Sequence, residues 1–219
     1  AATAVLVGTS FLLALLLALP LGAIAALRPR SPLDRLVDLL AAFAVSVPSF
    51  WLALLLILLF AVELRWLPAG GEPEPGAGPA AWLRHLALPV LTATVLGLGP
   101  LLRFVRAGLL EALREPCIRT ARAKGAGTVR LVLGHALPQA LPALLAVVAL
   151  QAGGLLSGAL VIETVFAWPG MGRLIYEAIM GNDYNLAVIA VLVGTAATLL
   201  ANLAADLLHA RLDPRVRPG

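Results

Sequence analysis

The sequence is poor in charged residues, which make up 13% of its 219 positions. Soluble domains average about 25% charged and about 45–50% apolar residues. Here 61% of the residues are hydrophobic, more than a soluble core of this length can bury, which argues against a soluble enzyme. The composition instead predicts a membrane protein, with enough apolar residues for about five spans of roughly 20 residues each.

Cysteine, histidine and lysine are also scarce. The single cysteine, Cys117, excludes an internal disulfide. The three histidines (His85, His135 and His209) are far apart, and no H-E-x-x-H motif occurs. The only lysine, Lys124, precedes a glycine, whereas the lysine of a phosphate-binding loop follows one. We therefore predict no catalytic residue, no metal site and no cofactor bound by this chain.

Five apolar runs are typical of membrane-spanning helices, because they are continuous and lack the period-two alternation of barrel strands. Their approximate bounds are Ala4–Leu27, Leu36–Val62, Leu86–Leu102, Leu141–Phe166 and Leu186–Leu208. The second run contains Pro48, where we expect a break. The sequence thus predicts an all-α, polytopic bundle of about five spans, forming a single transmembrane domain over residues 1–219.

The basic residues are sorted between the loops. Only Arg65, Arg84 and Arg173 lie on one side, whereas the other 13 of the 16 lie in the loops after the first, third and fifth spans. Loops rich in arginine and lysine face the cytoplasm, so those loops and the C-terminus are predicted to be cytoplasmic. The net charge of +4 then reflects topology rather than nucleic-acid binding. Because Ala1 falls on the outer side, we expect a further helix before it.

The longest cytoplasmic segment, residues 103–138, is too basic to enter lipid. Gly125 divides it into two helical pieces that can meet at an angle. The second piece carries an apolar stripe with helical spacing, formed by Val129, Val132, Leu133 and Ala136. Two interpretations stay open on these residues alone. The segment is either a helix lying on anionic lipid or a docking element for a cytoplasmic partner.

Four short motifs occur in order along the chain. They are S-V-P-S-F-W (46–51), R-T-A-R-A-K-G with H-A-L-P nine residues later (119–138), E-T-V-F-A-W-P-G-M-G (163–172) and L-D-P-R (212–215). The second motif resembles the EAA loop of bacterial ABC importer permeases, E-A-A-x3-G-x9-I-x-L-P. It departs from that pattern at Arg119, Thr120 and His135 in the manner of the peptide-and-nickel branch.

Together the motifs resemble the B-type permease of the dipeptide, oligopeptide and nickel ABC importer family, over nearly the whole chain. The resemblance implies the type I importer permease fold in a bacterial inner membrane. It also implies a permease subunit that forms part of the path for peptides or related small solutes, nickel complexes and glutathione included. The implied partners are a second, C-type permease, two cytoplasmic ATPase subunits that use ATP and Mg²⁺, an external substrate-binding protein and membrane lipid.

In such importers the EAA loop forms a coupling helix that sits in a groove of an ATPase subunit. The resemblance therefore assigns ATPase coupling to Arg119, Thr120, Ala121, Arg122, Gly125, Leu137 and Pro138. Ala121 and Gly125 are small residues four apart, which would allow close approach to a groove wall. The alternative for Gly125 is a plain helix C-cap.

Candidate residues of the translocation path lie in two places, along the fifth span and near the outer end of the fourth. The fifth span carries a polar stripe formed by Thr195, Thr198, Asn202, Asp206 and His209. Polar and charged groups in a membrane helix face the bundle interior or water, so Asn202 and Asp206 are pathway candidates, with interhelical hydrogen bonding as the alternative. The resemblance places Glu163 and Trp168 beside the outer mouth, although Trp168 alone also fits an interfacial anchor.

Two other functions compete with an importer permease. An ion- or proton-coupled secondary transporter is disfavoured, because embedded ionisable residues are few and no inverted repeat is visible. An intramembrane enzyme is disfavoured because the chain has no metal-ligand set, and Ser157 has no evident base.

Overall fold

The computed structural model describes residues 2–141, 144 and 159–212, and the account of the fold concerns these residues. All of their regular structure is helical. The first half contains α1 (Ala2–Leu27), α2 (Pro32–Ser46), α3 (Ser49–Leu56) with a π-helical continuation (Ile57–Glu63), and α4 (Pro79–Ala112). The second half contains α5 (Pro116–Ala123), α6 (Thr128–Leu131) with a π-helical turn (Val132–Ala136), α7 (159–165), α8 (Met171–Met180) and α9 (Tyr184–Leu212).

Helix α4 is the central element and packs along α1. It has 34 residues, about 51 Å at 1.5 Å per residue, and extends beyond the predicted third span at both ends. The predicted bounds were too short because the apolar run ends at His85 and Arg103, whereas the helix continues past both. Pro89 and Pro100 lie inside this continuous helix. Prolines are tolerated in such helices where neighbouring helices compensate for the lost hydrogen bonds. The predicted cytoplasmic segment therefore begins within α4.

The second predicted span is two helices rather than one. Between α2 and α3 the chain bends by 104°, and Val47 has an extended backbone with φ −82° and ψ 126°. Proline disfavours the helical conformation of the residue before it, so the predicted break at Pro48 is confirmed. The bend of 104° is too large for a single straight helix over residues 36–62, so the predicted second span consists of two helices that meet at Pro48.

Three described helices are long and apolar enough to cross a membrane. They are α1, α4 and the part of α9 from Tyr184 to Ala204, and the bent pair of α2 and α3 adds a fourth if it counts as one span. The predicted first and fifth spans correspond to α1 and α9. The predicted fourth span, residues 141–166, lies mostly outside the described residues.

Buried side chains form two clusters, one toward each end of the bundle. The basic-end core joins α1, α2 and α4 to the segment after α4, and includes Ala25, Val37, Leu109, Ile118 and Leu131. The tryptophan-end core joins α1, α3 and α4 to the chain after α7, and includes Leu6, Leu52, Leu88, Phe166 and Trp168. Each cluster supports one of the candidate sites.

Candidate functional site

Helix α5 is a short basic helix whose ends are both defined by local chemistry. Pro116 occupies its first turn, where a missing backbone N–H costs nothing. At the other end, the N–H of Ala126 donates to the carbonyl of Ala121 at 3.1 Å, and the N–H of Gly125 donates to that of Arg122 at 3.0 Å. This is the hydrogen-bond pattern of a Schellman cap. Gly125 has φ +82°, a left-handed conformation that glycine adopts without strain.

The predicted coupling residues of α5 lie on two different sides of the helix. Arg119, Thr120 and Arg122 are exposed, as is Gly125, where an added Cβ would meet nothing within 4 Å. Ala121 instead packs against the basic-end core. The C-cap interpretation of Gly125 thus matches the geometry, while the coupling role of these residues stays a prediction.

Ile118 is the residue of α5 that sequence analysis missed. It is 1% exposed and belongs to the basic-end core, together with Leu109 and Ala112 at the end of α4. A large apolar residue three positions before Ala121, in a helix otherwise basic and small, was the available signal. Ile118 packs one face of α5 against the bundle, and the arginines of α5, Arg119 and Arg122, stay exposed.

The predicted apolar stripe of the second piece is right for two of its four residues and wrong for the other two. Val129 and Leu133 are 70% and 60% exposed, whereas Val132 and Ala136 are buried. The π-helical turn at Val132–Ala136 changes the register by one residue, so that the buried Leu131 replaces Val129 on the inner face. The exposed Val129 and Leu133 line a shallow surface depression formed by residues of the second piece.

The last two predicted coupling residues follow this turn. Leu137 packs against the basic-end core, and Pro138 is exposed. We use the term coupling surface for the exposed members of the predicted coupling set, which are Arg119, Thr120, Arg122, Gly125 and Pro138. The other two members, Ala121 and Leu137, pack against the basic-end core.

An ion pair that the sequence analysis did not predict joins α2 to α4 at the same end. Asp34 accepts from Arg106 Nε at 2.5 Å and from Arg106 Nη2 at 2.9 Å. The backbone N–H of Arg30 also donates to Asp34 Oδ2, at 2.7 Å. Ser31 caps α2 by accepting from the N–H of Asp34. The Ser-x-x-Asp spacing was a sequence signal for this cap, but not for the partner arginine 72 residues away.

At the opposite end, Trp168 is a core residue. Its side chain is 2% exposed, lies edge-on to Trp82 at 5.9 Å between ring centroids, and donates from Nε1 to the carbonyl of Ala2 at 3.2 Å. An exposed interfacial anchor therefore does not describe Trp168, although it fits Trp66 and Trp82, which are 62% and 44% exposed.

Glu163 is completely buried behind the start of α8. Its Oε2 accepts from the backbone N–H groups of Gly172 at 2.6 Å and Arg173 at 3.2 Å, while its Oε1 has no hydrogen-bond partner among the described residues. A Cβ at Gly170 would overlap the carboxylate, and one at Gly172 would overlap Leu160. Glu163 thus acts as a remote N-cap, which satisfies two free N–H groups of α8 and opposes its dipole.

A cavity of about 950 Å³ lies between α8, α9 and the start of α1. Glu72, Arg173 and Glu177 are its charged lining residues. Arg173 donates from Nε to Glu177 at 2.6 Å and from Nη1 to the carbonyl of Ala167. Thr195 and Thr198 of the predicted polar stripe line the cavity from α9.

The structure describes only part of the polar stripe. The Thr198 hydroxyl donates to the carbonyl of Gly194 in its own helix. Thr195 is exposed, and Asn202, one turn after Thr198, is partly exposed. The side chains of Asp206 and His209 lie outside the described residues. Among the described side chains of the stripe, no hydrogen bond to another helix occurs, and their pathway role stays a prediction.

Comparison with known proteins decides the family. Residues 18–218 match the family described as binding-protein-dependent transport system inner membrane component. The chain belongs to this family. It is 37% identical to the dipeptide transport system permease protein DppB of Alkalihalophilus pseudofirmus, over 99% of this chain and 71% of that protein. It is also 38% identical to the glutathione transport system permease protein GsiC of Escherichia coli, over 95% of this chain and 66% of that protein.

The fold agrees with this membership. A structure described as an inward-facing conformation of the MetNI methionine ABC transporter superposes with a TM-score of 0.78, covering 96% of this chain and 93% of the other at 21% identity. The all-α importer permease fold implied by the sequence motifs is thereby confirmed. As a member of this family, the chain is an inner membrane component of a transport system.

Proposed function

We propose that this chain is one permease subunit of an ATP-driven importer for peptides or related small solutes in the bacterial inner membrane. Relatives named as dipeptide and glutathione permeases support the substrate class. The sequence has no phosphate-binding loop, so ATP and Mg²⁺ are handled by partner subunits. The basic loops and the C-terminus face the cytoplasm, as the distribution of arginines favours.

The proposed assembly contains a second, homologous permease, two ATPase subunits and an external substrate-binding protein. The face of α9 that does not line the cavity supports a protein or lipid neighbour on that side, because Leu192 and Leu200 are 64% and 66% exposed in an apolar helix. Apolar side chains at this density are stable only against lipid or another protein.

One observation carries the coupling part of the proposal: an exposed basic surface is fixed to the centre of the bundle. Ile118 and Ala121 attach α5 to the core that holds α1 and α4, so a force on the coupling surface acts directly on those helices. Close-packed cores transmit displacement because they have little free volume. We therefore assign ATPase contact to Arg119, Thr120, Arg122, Gly125 and Pro138, and anchoring to Ala121 and Leu137.

The proposed translocation path follows the polar stripe of α9. It passes the cavity at Thr195 and Thr198 and continues toward Asn202 and Asp206. Glu163 and Trp168 support its outer mouth from within the protein, because both are buried beside α8, a wall of the cavity.

The test is ATP hydrolysis by the assembled importer in liposomes, stimulated by the substrate-loaded binding protein. The double variant Arg119→Ala, Arg122→Ala removes two exposed charges of the coupling surface. We expect it to lower stimulated hydrolysis at least about tenfold, the effect of losing roughly 1.4 kcal/mol of interaction, while the amount of permease in the membrane is unchanged.

Arg103→Ala provides the matched control, because Arg103 is an exposed arginine of α4 outside the coupling surface. It should leave stimulation near the wild-type value. Equal loss in the control and the double variant would refute a specific role for α5. Uptake that needs an ion gradient and no ATPase subunit would establish the secondary-transporter alternative.

A further inference from the structure

The cavity between α1, α8 and α9 has the size and lining of a small-molecule site. Its volume of about 950 Å³ lies within the roughly 300–1,000 Å³ typical of ligand pockets. Leu160, Leu174 and Val191 contribute apolar wall, and Thr195 adds an exposed hydroxyl. A few polar groups on a mostly apolar wall are the usual design of a site that orients one end of a ligand.

The charged groups of the cavity favour a cation. Glu72 and Glu177 supply two carboxylates and Arg173 one guanidinium, which leaves one net negative charge. Arg173 is already engaged, by Glu177 and by the carbonyl of Ala167. Glu72 makes no hydrogen bond or salt bridge among the described residues. The unpartnered charge at the cavity is therefore a carboxylate.

The start of α8 does not offset the preference of the cavity for a cation. The first N–H groups of a helix normally attract anions, but here each is occupied: Met171 N–H donates to Thr3 Oγ1 at 2.8 Å, and Glu163 accepts from Gly172 and Arg173. The buried Glu163 also adds a second negative charge directly behind the helix terminus. An anionic ligand group at this end of the cavity would find neither free donors nor a favourable field.

We propose that this cavity is a transit site for peptides, in which Glu72 receives the protonated amino terminus and the apolar wall receives the side chains. This inference rests on the proposed importer function and makes its substrate class narrower. Dipeptides, longer peptides and glutathione all carry a free ammonium group, whereas a solute without one gains nothing from the carboxylate of Glu72. The site passes substrate onward, so its affinity is expected to be weak.

The test measures protection of a cysteine at the cavity in the complete importer without its binding protein, since that protein also selects substrates. Thr195→Cys in a Cys117→Ser background supplies a single thiol on the lining. A neutral maleimide is the reagent, and glycyl-leucine and N-acetyl-glycyl-leucine are the probes. At about twice its Kd, a ligand that covers the thiol slows labelling about threefold.

We expect glycyl-leucine to slow labelling about threefold and the acetylated peptide to leave it unchanged. Glu74→Cys in the same Cys117→Ser background, exposed in the loop of Glu72 but outside the cavity, should be labelled at the same rate with and without either peptide. Glu72→Gln should lose the protection. Glu74→Gln, an exposed neighbour in the same loop that does not line the cavity, should keep it.

Equal protection by both peptides would overturn the role of the amino terminus, and no protection at any soluble concentration would overturn the site. Stimulation of ATP hydrolysis by the loaded binding protein is measured on the same preparations. If stimulation is present without protection, the cavity proposal alone fails. If the unmodified complex shows no stimulation, the importer function itself fails.

Discussion

The two ends of the bundle each bury one carboxylate, and they do so in different ways. Asp34 at the basic end meets an arginine from a distant helix and a backbone N–H, so both of its oxygens are satisfied. Glu163 at the tryptophan end meets only backbone N–H groups, through one oxygen. The first arrangement ties two long helices together, whereas the second fixes a short helix at the edge of a cavity.

This difference matches the work proposed for each end. The basic end must transmit force from α5 to the bundle, which favours a rigid connection between α2 and α4. The tryptophan end must hold α8 in place and leave the neighbouring cavity open. A guanidinium paired with Glu163 would offset the negative charge that Glu163 places behind the start of α8, next to the cavity.

The largest effect is expected from breaking the basic-end pair. Arg106→Met leaves Asp34 buried without its cation, and should cost about 3 kcal/mol, the low end for a broken buried pair because Arg106 is 25% exposed. The measurement is the thermal midpoint of the purified permease in detergent. Arg106→Met combined with Asp34→Asn should recover much of the loss. Failure of the double variant to recover stability would mean that the pair is not the relevant interaction.

A smaller effect is expected at the glycine cradle of Glu163. Gly170→Ala inserts a Cβ into the carboxylate and should cost about 1–3 kcal/mol, as overpacking does. In a Glu163→Ala background the same substitution should be nearly neutral, because the overlapping atoms are gone. Gly172→Ala, which overlaps the Leu160 backbone as well, should not be rescued. Additive costs in the Gly170 cycle would contradict direct contact.

The smallest effect is expected at the cap of α5. Gly125→Asn should be tolerated, because asparagine adopts positive φ readily, while Gly125→Val should cost about 1–2 kcal/mol. If coupling depends only on the left-handed cap at Gly125, stimulated ATP hydrolysis should be retained in Gly125→Asn and reduced in Gly125→Val. If it also depends on close approach to the ATPase, Asn and Val lose activity alike. A large residue such as tryptophan at Gly125 would not separate the cap from close approach to the ATPase, because it adds backbone strain and side-chain bulk at the same time.

Local patterns predicted local structure well. The break at Pro48 and the division at Gly125 follow from backbone chemistry that two or three residues define. The phase of the second helical piece could not be predicted, because a π-helical turn shifts the register without any distinctive residue. Long-range partners were equally inaccessible: nothing near Asp34 identifies Arg106, 72 residues away, and nothing near Glu163 indicates complete burial.

The family motifs predicted where the sites lie but not how they are built. The EAA-like loop marked α5 correctly as a separate element, yet Ile118, the residue that attaches it to the core, is not part of the motif. Likewise the motif at 163–172 contains both Glu163 and its two glycines, and only the structure reveals that these three residues form one packed unit.

The central claim is that α5 contacts an ATPase subunit, and the chain carries its own probe for it. Cys117, its only cysteine, is exposed in the first turn of α5. A benzophenone maleimide on Cys117 should photo-cross-link the permease to the ATPase subunit in membranes that retain uptake, whereas Cys117→Ser with Glu74→Cys should not. Cross-links to lipid alone, in a complex that still imports substrate, would contradict the account.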